Sequence, residues 1–179
     1  MAGMASQSPA VPGPAADDAA GPAQNHALLF NDRASEWLGV EVLELADGRA
    51  TIAMTLRPEM MNGFGITHGG MIFAFADSAF ALACNPADGG GDSVSVASGV
   101  DVNFLAPTRA GQRITAVARR RQQQGRSGLY DVQVFADDGN DGADGGAENG
   151  SRGSSAVDHQ RGTVVAEFRG RSRAIPKKQ

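Results

Sequence analysis

The sequence predicts an α+β domain in which an antiparallel sheet is wrapped around one long central helix. Three observations lead there. The run MIFAFADSAFALACN, residues 71–85, is apolar nearly all round, and a helix hydrophobic on every side must be buried on every side. A β-hairpin signal precedes it, and only strand-like runs follow it. Strands segregated around a single buried helix indicate one α+β core rather than alternating βαβ units.

Residues 1–24 are rich in Ala, Pro, Gly and Ser with almost nothing to bury, so they read as a disordered N-terminal tail ahead of a domain at 25–176. NHALLFNDRASEW then reads as a short amphipathic helix. GVEVLELADGRATIAMTL holds two apolar-rich runs around Asp47-Gly48, a strong hairpin signal. RPEMMNGFGI reads as a loop, interrupted by Pro58, Gly63 and Gly65. The helix follows; its small residues (Ala74, Ala76, Ala79, Ala81, Ala83) suit close approach to a sheet, and Asn85-Pro86 ends it.

In SVSVASGVDVNFLAP, period-two alternation puts Val94, Val96, Ser98, Val100, Val102 and Phe104 on one face. ITAVARRRQQQ and SGLYDVQVFAD are two more strands joined around Gly125. GTVVAEFRGRSRAI reads as an edge or closing strand. Between them, residues 137–161 are Gly/Asp-rich low-complexity sequence, expected to form a long mobile loop. The element order is that of the hotdog fold.

Bulk properties narrow the function classes. No signal peptide is evident and no run nears the roughly 18 apolar residues of a membrane span, so a soluble cytoplasmic protein is expected, with no membrane partner. The single cysteine, Cys84, excludes an intramolecular disulfide framework and reads as a packed thiol. His26, His68 and His159 are far apart, which speaks against a zinc site. A net charge of −4 and the absence of any nucleic-acid motif speak against nucleic-acid binding.

Chemistry concentrates in residues 62–85. Asp77 is the anomaly: an unpaired carboxylate in an all-apolar helix costs several kcal/mol if fully desolvated. Either it is structural, bonding backbone or a hydroxyl such as Ser78, or it faces a cleft where its charge is used. Gly69 and Gly70 open the helix, where the first N–H groups lack intrahelical partners and the dipole favours negative charge. His-Gly-Gly before a helix is often only a tight turn. With a carboxylate two turns further on, it resembles an oxyanion donor plus a base. Nucleotide readings of this loop fail, because neither G-x-G-x-x-G nor Gly-Lys-Ser/Thr is present.

Here the sequence resembles the phenylacetic acid degradation (PaaI-type) acyl-CoA thioesterases of the hotdog superfamily. The shared pattern is M-N-G-x-G-x-x-H-G-G at 61–70, F-x-x-A-D-x-A-F-A-x-A-C-N at 73–85 and V-A-S at 96–98. It continues with F-L-x-P at 104–107, Y-D at 130–131 and F-R-G-x-S at 168–172. The resemblance covers roughly residues 28–136 and 161–175.

It implies a homodimer, or a homotetramer of two such dimers, with two sheets joined into one and an active site at each subunit interface. It implies that the Gly69 N–H binds the thioester carbonyl and that Asp77, from the other subunit, acts as nucleophile or general base. Asn62 matches an asparagine that orients the thioester, and His68 matches the residue beside the oxyanion glycine. Ser98 is the nearest candidate for a water-holding hydroxyl; the alternative is a core serine bonding a backbone carbonyl.

The expected reaction is hydrolysis of an acyl-CoA, phenylacetyl or a ring-hydroxylated relative, with no cofactor or metal. A hotdog dehydratase or hydratase using His68 with Asp77 is the rival enzyme, and a non-catalytic acyl-CoA-binding oligomer the rival of another class. Arg169, Arg171 and Arg173 share a face that suits either coenzyme A phosphates or a charge-defended exposed strand. Phe64, Phe73, Phe75 and Phe80 suit either an acyl pocket or the core.

Overall fold

The computed structural model describes residues 26–137 and 162–177. The expected tail at 1–24 and the insertion beyond Asp137 lie outside the described residues.

A 3-10 turn, Ala27–Asn31, leads into helix α1, Arg33–Leu38. The sequence reads these as one amphipathic helix, but Asp32 divides them. Its carboxylate accepts from the N–H groups of Ala34 (3.1 Å) and Ser35 (3.0 Å), so the chain restarts as an α-helix there. Strands β1, Glu41–Ala46, and β2, Arg49–Thr55, form the expected hairpin, with Gly48 at φ 70°. Helix α2 spans Gly69–Cys84, and β3, Ser93–Phe104, β4, Arg113–Gln124, β5, Ser127–Ala136, and β6, Thr163–Pro176, follow.

The six strands make one antiparallel sheet in the order β1-β2-β4-β5-β6-β3. Helix α2 touches every one of them. Phe75, Ala76, Ala79 and Phe80 are buried against Ile52, Met54, Ile114, Val132, Val134 and Phe168. The Phe80 ring sits edge-on to Tyr130 at 5.4 Å and tilted against Phe168 at 5.7 Å. Burying one such aromatic side chain contributes about 1.5–3 kcal/mol, so this row fixes the height of the helix over the sheet.

Two strand expectations need correction. β6 is an interior strand, lying between β5 and β3. Its arginines mark the open outer face of the sheet, while Phe168, Gly170 and Ser172 alternate with them on the buried helix side. The edge on this side of the sheet is β3, with β1 at the other. The six β3 residues expected on one face are also divided, because the register against β6 shifts between Ala97 and Gly99. Val100 and Val102 pair with Gly170 and Phe168 on the helix side, whereas Val94 and Val96 pair with Ile175 and Arg173 on the outer side. A bulge at Ser98 adds one residue, and one residue flips a strand's faces.

Candidate active site

The loop before α2 is held closed by its own backbone. Met61 and Thr67 form an isolated antiparallel bridge. Within it the Asn62 Oδ1 accepts from the N–H groups of Phe64 (2.9 Å) and Ile66 (3.4 Å). The Thr67 N–H donates to the Thr108 carbonyl at 2.9 Å, their hydroxyls meet at 2.7 Å, and the His68 N–H donates to the Met60 carbonyl at 2.9 Å. Asn62 is thus first a turn-organising side chain, with its amide nitrogen left over as a donor.

His68 is the N-cap of α2. Its Nδ1 accepts from the Gly70 N–H at 3.0 Å and its carbonyl accepts from Met71 at 2.8 Å. With Nδ1 an acceptor, the neutral ring carries its proton on Nε2. Gly69 is different. Among the described residues no acceptor takes its N–H, although it begins a 16-residue helix. A free N–H at the positive end of a helix dipole suits a developing oxyanion. A Cβ on Gly69 would stand 3.0–3.4 Å from three ring carbons of Phe104, so glycine also keeps this spot open.

Asp77 lies two turns on, half-buried, with no hydrogen bond or ion pair to any described residue. Burial raises its carboxyl above the ordinary carboxylate range. The structural alternative through Ser78 does not form: the Ser78 hydroxyl meets Ser35 Oγ at 3.0 Å, and Ser35 donates to Asp32 at 2.6 Å. Eight residues at 1.5 Å rise put Gly69 and Asp77 about 12 Å apart along the axis. Within one chain, they cannot both reach one carbonyl.

The other candidates fall elsewhere. Ser98 is exposed at the bulge, and its hydroxyl donates to the Arg171 carbonyl at 3.0 Å. Arg169 pairs with Asp131 and Arg171 with Asp101, each at 2.8 Å, across the outer face. A concavity of about 580 Å³ is lined by Asp101, Asp131, Arg169, Arg121 and Glu167; it lies on the side of the sheet away from α2. Phe75 and Phe80 are core, Phe73 packs on Phe168 at 5.7 Å, and Phe64 is 89% exposed at the loop tip. Burial pushes the Cys84 thiol up to about 12, so it stays protonated and packed near Ser172 and Tyr130.

Two contributors escape the sequence reading. Thr108 anchors the loop, with no motif to announce it. Asn85, read only as a helix stop, donates to the carbonyls of Ala81 and Ser95 (3.0 Å each) and accepts from the Ser95 N–H at 2.8 Å. It clamps the start of the edge strand to the end of α2. Among the described residues no group of three or more His, Cys, Asp or Glu is placed to hold a metal, and no helix is long and apolar enough to cross a membrane.

Comparison with known proteins identifies the family. The thioesterase superfamily model matches residues 64–143, which include Gly69 and Asp77. The acyl-coenzyme A thioesterase PaaI of Escherichia coli is 38% identical over 109 residues, 61% of this chain and 75% of the relative. The chain belongs to the PaaI-type thioesterase family. The solved E. coli PaaI protein from the phenylacetic acid degradation operon matches with TM-score 0.67 and 32% identity, over 85% of this chain and 91% of that one. A variant of the phenylacetic acid degradation protein PaaI from Thermus thermophilus matches with TM-score 0.59 and 31% identity, over 78% and 96%. This PaaI-type chain therefore has the hotdog fold that its strand order and buried helix lead one to expect.

Proposed function

We propose that this PaaI-type thioesterase hydrolyses phenylacetyl-CoA or a ring-hydroxylated relative, at a site shared by two subunits. The observation that carries this is the pair of unpartnered groups on α2: the Gly69 N–H and the half-buried Asp77 carboxylate, about 12 Å apart in one chain. A second copy, its sheet joined along the open β3 edge, brings Asp77 of the partner subunit to the carbonyl held by Gly69. The aromatic acyl group is favoured by the relatives from phenylacetic acid degradation.

The chemistry suits so spare a site. Asp77 attacks the acyl carbon directly or removes a proton from an attacking water; on both routes the carbonyl oxygen becomes an oxyanion facing the Gly69 N–H. Losing one such donor typically costs about 3–4 kcal/mol. Collapse expels the coenzyme A thiolate, which at a pKa of about 8.5 leaves without a strong general acid; on the direct route water then cleaves the acyl–Asp77 anhydride, releasing the acid and freeing the carboxylate. Asn62 supplies its free amide N–H for orientation. His68 holds Gly70, and thereby the direction of the neighbouring N–H. That capping bond disfavours the dehydratase reading, since a basic His68 would have to surrender it.

Thiol release across a panel of acyl-CoAs is the test. Turnover with phenylacetyl-CoA among the best substrates is the expected result. A folded protein that releases no thiol from any acyl-CoA, or one that hydrates enoyl-CoA instead, overturns the reading.

A further inference from the structure

We infer that Phe104 is the acyl-side wall of the thioester subsite and a specificity-determining residue for aromatic acyl groups. This rests on the thioesterase reading above. The ring leans on Gly69: its Cζ, Cε2 and Cε1 lie 3.0, 3.2 and 3.4 Å from where a Cβ of Gly69 would stand. In an α-helix the Cα–Cβ direction tilts toward the N-terminus, the end to which the free N–H groups also point. A carbonyl accepting from Gly69 therefore has the Phe104 ring beside it.

Phe104 is nevertheless 54% exposed, so only part of the ring is used by the fold. It ends the edge strand β3, pairs with Ala166, and follows Val100 and Val102 on the helix side of the sheet. That row packs against the core. An apolar ring on this side matches the acyl group, whereas the polar amides of the pantetheine arm match solvent. A flat ring offers an aromatic acyl group offset-stacked or edge-on contact that a straight chain cannot reproduce. Phe104 also covers one flank of the Gly69 N–H, keeping bulk water from competing for the oxyanion.

The test compares kcat/KM for phenylacetyl-CoA with that for a straight-chain acyl-CoA of equal carbon number, in wild type, Phe104→Leu and Phe104→Ala. Phe104→Leu keeps apolar bulk, so it carries the test even where Phe104→Ala fails to fold. The aryl-to-straight-chain ratio is expected to fall about fivefold. A ratio that stays level or rises overturns the assignment, including the case where both substrates slow by one common factor. Wild type inactive on every acyl-CoA would instead strike the thioesterase reading, so the two failures are told apart.

Discussion

Gly170 lies directly beneath the ring of Phe80: a Cβ there would stand 2.6 Å from Cε2 and 2.8 Å from Cδ2 and Cζ. No non-bonded pair of carbons is held that close, and Phe80 is already boxed in by Tyr130 and Phe168. Gly170→Ala is therefore expected to overpack the helix–sheet contact and cost about 1–3 kcal/mol. Urea unfolding reads it as a lower midpoint at unchanged slope. A midpoint equal to wild type would show that α2 lifts freely.

Asp77→Asn separates use from structure. Burial raises the native carboxyl, while the unfolded one titrates in its ordinary range. Between those two values the native state binds more protons, so stability falls as pH rises through the raised value, and the ionisation cost is present in full once the pH lies above it. Asp77→Asn lacks that cost. At pH 7 it should melt at or above the wild-type temperature, the advantage fading on acidification below the ordinary range, with kcat down at least about 100-fold. Wild-type activity should decline on acidification with a midpoint above that of an ordinary carboxylate. A variant that melts early yet keeps its kcat would make Asp77 a structural residue.

Complementation addresses the shared site. Pro is tolerated at the first position of a helix but has no N–H, so Gly69→Pro removes the donor at a helix-compatible position while pressing its ring on Phe104. Homodimers of Gly69→Pro and of Asp77→Ala should each be dead. Mixed dimers carry one site with both groups intact, and mixing should restore part of the activity. Verified hybrids that stay inactive count against a site built by two subunits.

Shortening the 137–161 insertion should be tolerated. Ala136 and Thr163, on either side of it, are already cross-strand partners, so a short Gly-containing turn can join β5 to β6. Fold, oligomer and kcat are expected to stay close to wild type in melts, sedimentation and thiol release. A tenfold loss of kcat in the trimmed, folded protein would place a working residue in the insertion.

Much of this was readable because burial leaves compositional marks. An acidic residue in an otherwise apolar helix singled out Asp77, Asp-Gly set the first hairpin, and Gly69 stood where a helix begins. What escaped depended on neighbours. An interior strand with one open face alternates charged and apolar residues just as an edge strand does, so the arginines of β6 suggested an edge that belongs to β3. The bulge at Ser98 is defined only against β6, and no periodicity within β3 reveals it. Asn85 looked like a stop signal, yet its side chain bonds backbone groups of Ala81 and Ser95 that the fold alone brings near.

The placement of β3 has a consequence for synthesis on the ribosome. Among the described residues its sole neighbour in the sheet is β6, and Ser98 meets Arg171 across 73 residues of chain. β1, β2 and α2 can begin to associate while the nascent chain is growing, but β3 has no strand to pair with until β6 has left the exit tunnel. Such long-range pairing is the slow part of folding. An interrupted translation product therefore lacks a completed β3 edge, and the edge-to-edge pairing proposed above is reserved for chains that have been read through β6.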